Sequence, residues 1–158
     1  MYQRIMVPLD GSELAECVLP HVESIAKGCG VKSVIFVGVV EPIQFTGGGA
    51  DAAGYFLKDE DLRQMEVSRQ SAVEDYLQQT MSRLNYDGVN LQSEVIRGKA
   101  AESLAEYAEK NEIDLIVMAT HGRSGISRWV VGNVADRIIR SACVPVLLVR
   151  APGCIPGI

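Results

Sequence analysis

Cysteine and histidine are too sparse in this chain to build a metal centre or a disulfide framework. The four cysteines, Cys17, Cys29, Cys143 and Cys154, form no Cys-x-x-Cys pair, and neither His21 nor His121 stands at ligand spacing from them. They read as reduced thiols of a cytoplasmic protein in small buried or surface positions, and a redox role is disfavoured on the same ground. Positive charge is also short. Fifteen Lys and Arg against 20 Asp and Glu give a net charge of −5, which argues against a nucleic-acid binder with its basic stripe. Long apolar runs are missing. After Arg4 the first run lasts only from Ile5 to Leu9 before Asp10 interrupts it. An export signal needs a longer stretch and a spanning helix about 20 residues, so no membrane association is expected. Catalytic signatures are thin as well. Ser124 and Ser127 lie in no Gly-x-Ser-x-Gly elbow, and His121 has no carboxylate partner in its loop, which leaves it a loop-ordering role.

What the chain does hold is an alternation of short apolar runs and helical patterns. Its 158 residues suit one domain, taken as residues 1–150 with a flexible C-terminal tail at 151–158. Residues 5–9 form a first strand, ended by Pro8. Asp10-Gly11-Ser12 is turn chemistry, and Ser12 is a fit N-cap with Glu13 and Glu16 behind it. A helical pattern continues to Gly28 and Gly30, with Pro20 predicting either a kink or an early-turn proline. Residues 31–40 are a second strand. The loop at 41–57 carries Gly47-Gly48-Gly49 and Gly54, and reads as a lid or as a mobile surface loop. A long amphipathic helix covers 59–84, and a strand nearer the sheet edge follows at 89–96. A helix at 100–110, a strand at 113–120, a helix from Gly132 and a strand at 144–149 complete the chain. Asn133 is the expected N-cap of that last helix, with Asp136 three residues on.

This order predicts a doubly wound α/β fold with a five-stranded parallel sheet and helices on both faces. Such sheets take ligands beyond the carboxyl ends of their strands, where the strand order reverses. Two strand ends carry suitable chemistry: Asp10-Gly11-Ser12, and the segment from Thr120 to Gly125. The latter belongs to the most informative stretch, 113–140, in which strand, glycine-bearing loop and helix start follow one another. Helix N-termini present unpaired N–H groups to an anion, and glycine lets a phosphate approach the backbone. Arg123 and Arg128 serve there either as phosphate clamps or as solvated charges. Trp129 reads as core or dimer packing.

The motifs RIMVPLDGSELAE, GVVEP, IDLIVMATHGRSG and GNVADRIIRSACVPVLLVR resemble those of the universal stress protein family over roughly residues 2–150. The nucleotide-binding branch of that family carries Gly-x2-Gly-x9-Gly-Ser/Thr. Here Ala119 stands for the first glycine, Gly122 and Gly132 keep their places, and Asn133 stands for the hydroxyl residue. The resemblance implies a Rossmann-like fold of the adenine nucleotide alpha hydrolase type, with strand order 3-2-1-4-5. It places Asp10 at the ribose or adenine end of ATP or AMP, and Val39 main-chain groups at the adenine edge. Pro8 and Met118 would shape the base pocket, with Ala119 beside it. Gly122, Gly132, Asn133 and Val134 would meet the phosphates, with Arg123 nearby and Mg²⁺ carried only through those phosphates. It further implies a homodimer through the last strand, Val146 to Arg150, with a protein partner left open. The function expected is stress-response regulation with at most slow ATP hydrolysis. A nucleotide-independent dimeric scaffold is the alternative, favoured by Ala119 and Asn133. Adenylyl-transfer chemistry would call for a His-x-Gly-His motif, which the chain does not have.

Overall fold

The computed structural model describes residues 2–43, 59–120 and 133–150. Strand β1 (Arg4–Pro8) leads into a four-residue helix α1 (Glu13–Glu16) and then α2 (Leu19–Cys29). Strand β2 (Ser33–Val40), the long helix α3 (Asp59–Ser82), β3 (Asn90–Arg97), α4 (Ala100–Lys110), β4 (Leu115–Thr120), α5 (Asn133–Ser141) and β5 (Val146–Arg150) follow. The pattern expected after Ser12 thus divides into two helices. Pro20 has no N–H to give back to the preceding turn, so it occupies the first turn of α2, where no such bond is required. Gly30 closes α2 in the left-handed conformation, and its N–H is bonded to the Ala26 carbonyl.

All five strands are parallel, in the order β3-β2-β1-β4-β5. Strand alternation sends successive side chains to opposite faces, and two cores result. Ile5, Val7, Val34, Phe36, Leu115 and Val117 pack under α1, α2 and α3 with Val18, Val22 and Leu77. Met6, Ile35, Val37, Ile116 and Met118 pack under α4 and α5 with Leu104, Ala108 and Ile138. Central strands buried on both faces explain the unbroken apolar runs at 5–9 and 115–119. At the amino ends of the strands, the Asp114 carboxylate accepts the Gln3 N–H at 2.7 Å and the Arg4 N–H at 3.2 Å, which stitches β4 to β1.

Candidate site at the carboxyl ends of β1 and β4

The strand order reverses at β1, which lies between β2 and β4. Its pairing with the two neighbours is unequal. It runs beside β2 from Arg4–Ser33 to Pro8–Val37, but beside β4 only at Ile5–Leu115 and Met6–Ile116. Beyond Met6 the β1–β4 ladder stops, at the carboxyl edge of the sheet. Leu9 donates to the Val37 carbonyl at 3.0 Å, so by strand alternation the Pro8 nitrogen faces β4. The residue without a donor therefore stands where the β1–β4 ladder stops.

The same alternation fixes Val39. The Val37 carbonyl faces β1, and the Val40 carbonyl faces the other way, accepting from Gly98 at 3.2 Å. Val39 N–H and C=O consequently point toward β1, whose chain has by then turned off into Asp10-Gly11. Among the described residues no strand is left to pair with them. The end of β2 is held from three sides: Gly98 bonds Val40, Arg69 of α3 donates to the Glu41 carbonyl at 3.2 Å, and Glu41 Oε1 accepts the Ala100 N–H at 3.0 Å. Glu41 in this way caps α4, whose own N-cap, Lys99, makes no side-chain cap.

Asp10 is exposed at the turn into α1. Its Oδ1 accepts the Ser12 N–H at 3.0 Å and the Ser12 hydroxyl at 2.6 Å, the local turn that short Asp side chains favour. Gly11 between them has φ +84°, a conformation that suits glycine. The Ser12 hydroxyl oxygen in turn accepts from Ala15 N–H at 3.1 Å and caps α1. Only one Asp10 oxygen is taken up by the turn. An ionised carboxylate accepts and does not donate, so the other oxygen suits a ligand hydroxyl or amine.

Met118 and Val39 lie on the α4–α5 side of the sheet, Met118 buried and Val39 half-buried. Ala119 is half-buried and packs toward the α1–α3 side. Val134, in the first turn of α5, is exposed and lines a cleft of about 360 Å³ with Glu41, Pro42, Lys99, Ala100, Ala101 and Arg137. A larger groove of about 700 Å³ runs along α4 and α5 toward Ile113 and Val144 at the opposite end of the sheet, away from the switch point. Arg137 is paired with Glu102 across the two helices.

Pro8, Asp10, Val39, Met118, Ala119 and Val134 thus gather at one edge of the sheet, on strands β1, β2 and β4 and helix α5. Gly122, Arg123 and Gly132 lie outside the described residues, as do the Asn133 side chain, His121, Arg128, Trp129, the glycine run of the 41–57 loop and the 151–158 tail. Glu41, Lys99 and Arg137 were not anticipated as neighbours of the site. No local motif marks them; they meet only because β2, the β3–α4 turn and α5 end at the same edge. Among the described residues no three His, Cys, Asp or Glu side chains converge as a metal site. No described helix is long and apolar enough to cross a membrane. Burial pushes the Cys17 thiol up, away from the reactive thiolate.

The universal stress protein family model matches residues 1–150. The chain belongs to the universal stress protein family. A relative, universal stress protein MJ0531 of Methanocaldococcus jannaschii, is 32% identical over 156 residues, covering 96% of this chain and 84% of the relative. Among solved structures, a universal stress protein in complex with cAMP superposes with a TM-score of 0.67 at 20% identity, covering 95% of this chain and 98% of that one. A family member from Arabidopsis thaliana with AMP bound gives a TM-score of 0.64 at 15% identity, covering 96% and 93%. At such identities the likeness to these two structures is one of fold, and it matches the observed sheet order.

Proposed function

We propose that this universal stress protein holds an adenine nucleotide, ATP or AMP, at the carboxyl edge where the β1–β4 ladder stops, and works as a stress-response regulator. The observation that carries the reading is the orientation of Val39. A main-chain donor and acceptor on one residue point past the end of β1, which suits the donor–acceptor edge of adenine. Asp10 offers an acceptor at the same edge, fit for ribose hydroxyls, and Met118 supplies an apolar wall. The start of α5 offers N–H groups that have no partner within the helix, suited to phosphate. The relatives with bound cAMP and AMP support the same ligand class. Mg²⁺ would be carried by the phosphates, where it commonly keeps several waters. With Asp10 given to the Ser12 turn and the ribose hydroxyls, turnover is expected to be slow.

The chain is further proposed to pair with a second copy through β5, Val146–Arg150. The alternative of a dimeric scaffold without nucleotide draws on Ala119 and Asn133, which replace a glycine and a hydroxyl residue of the family pattern.

Denaturing the purified protein and identifying released nucleotide by chromatography and mass spectrometry tests the reading. Calorimetric titration of the emptied chain with ATP and AMP, with and without Mg²⁺, follows. The expected result is stoichiometric adenine nucleotide, lost in Asp10→Ala and Gly132→Val. No released nucleotide and no heat up to roughly millimolar ATP would favour the scaffold.

A further inference from the structure

Helix α1 spans four residues, Glu13–Glu16, far too few to hold a helical turn in water unaided. Its position must be imposed from outside, and Asp10 and its Ser12 partner sit at its entrance. Ala15 enters the core beside it. The side-chain bonds that tie α1 to the rest of the described chain all run to one carboxylate. Tyr76 Oη of α3 donates to Glu16 Oε1 at 3.1 Å, and Arg83 Nη2 donates to Glu16 Oε1 and Oε2, each at 3.3 Å. Arg83 is held in turn by Thr80 Oγ1 at 3.2 Å, and Thr80 is fully buried. Tyr76 and Thr80 share one face of α3 by helical spacing, and Arg83 directly follows its last residue, Ser82. The Glu16 side chain is only 23% exposed, so water competes poorly for it.

From Glu16 the bonds continue without a gap. Its N–H reaches the Ser12 carbonyl at 3.3 Å, the Ser12 hydroxyl accepts from Ala15, and Ser12 holds Asp10 by two bonds. Burial, then the Glu16 carboxylate, pushes the Tyr76 hydroxyl up to about 12, and the Asp10 charge acts in the same direction, so Asp10 lies within electrostatic reach of α3.

We propose that Tyr76 and Arg83 are positioning residues for ligand recognition: through Glu16 they fix α1 and thereby aim the free Asp10 oxygen at the ribose hydroxyls of the nucleotide. The role rests on the nucleotide reading above. A solvent-facing ion pair by itself is worth little; the function of this one is geometric, because a misplaced acceptor loses most of a charge-assisted hydrogen bond.

The test compares ATP with 2′,3′-dideoxy-ATP by calorimetry on the full chain, on Asp10→Ala, on Tyr76→Phe, on Arg83→Lys, on Tyr76→Phe/Arg83→Gln, and on the last combined with Asp10→Ala. The wild type is expected to prefer ATP. Tyr76→Phe/Arg83→Gln is expected to lower that preference about tenfold, the worth of a hydrogen bond to a charged group. Tyr76→Phe, the mildest change, lowers it less, and Arg83→Lys largely keeps it. Adding the pair to Asp10→Ala should change the preference no further, because both act on the same contact. A merely structural role would weaken both nucleotides alike and leave their ratio where it was. An unchanged ratio in the α3 variants, or an equal loss in the Asp10→Ala background, overturns the positioning role and leaves the nucleotide site standing. A wild type that binds ATP without preferring it also overturns the role alone. A wild type that binds neither nucleotide overturns the site and this role together.

Discussion

Asp114 breaks the apolar run of β4 at its start, and its carboxylate joins two adjacent N–H groups of the β1 chain. Removing it leaves those part-buried donors without their partner, and unmet donors cost more than made bonds contribute. Asp114→Ala is expected to lower unfolding stability by about 2–3 kcal/mol, and Asp114→Asn by roughly half of that; urea denaturation followed by circular dichroism reads both. Tyr86 is 4% exposed, and its hydroxyl donates to the Leu19 carbonyl at 3.0 Å, tying the end of the α3 hairpin to α2. Burial first, and the Glu23 charge second, push that hydroxyl up to about 12 from 10.0. The folded chain therefore keeps its phenolic proton where the unfolded chain loses it. The associated stability is fully present below about pH 10 and is lost as pH rises toward about 12. Tyr76 adds to the loss in the same window. Denaturation midpoints taken across that range should fall in the wild type and fall less steeply in Tyr86→Phe.

At the scale of elements, α3 lies so close to β2 that a Cβ on Gly38 would overlap Val73 Cγ1 and come to 3.4 Å from Leu77 Cδ1. Glycine at 38 is therefore a packing residue in an otherwise Val-rich strand, not a turn. Gly38→Ala is expected to destabilise the fold by about 1–3 kcal/mol through overpacking, and Val73→Ala in the same chain should restore part of the loss; thermal unfolding of the three variants checks this. The element boundaries were legible in the sequence wherever a chemical stop marks them. Gly30 ends α2, Ser12 caps α1, and Gly88 and Gly98 flank β3. The division of α1 from α2 was harder to read, because apolar spacing continues across Pro20. Strands β2 to β5 begin later than the apolar runs suggest. Ile113 and Val144 are buried or half-buried by α4 and α5, not by strand pairing, and burial alone does not distinguish those two causes.

For the whole molecule, the two edges of the sheet differ. β3 carries Gln92, Glu94 and Arg97 and is flanked by α3, which guards it against association. β5 reads Val146-Leu147-Leu148-Val149 and, among the described residues, pairs with β4 alone, with Leu147 exposed and Ile139 exposed on the preceding helix. An apolar unpaired edge invites a second copy. The chain is expected to sediment as a dimer, and Leu147→Lys to shift it toward monomer at the same concentration; analytical ultracentrifugation decides.

The order of elements, the parallel class of the sheet and the residues that end β1 and open α5 follow from the sequence itself. Periodicity and turn chemistry are local, and residues 5–12 and 113–134 carry theirs within a few positions of one another. The Asp10 turn was legible for the same reason, since Asp10, Gly11 and Ser12 are neighbours. Tertiary structure alone decided that the β1–β4 ladder stops after Met6, that Val39 points a donor and an acceptor, unpaired among the described residues, past the end of β1, and that Glu41, Lys99 and Arg137 meet at the same edge. It also decided that α3 reaches across some sixty residues of chain to hold Glu16. These are contacts between distant segments, and no local pattern encodes the register in which two elements pack.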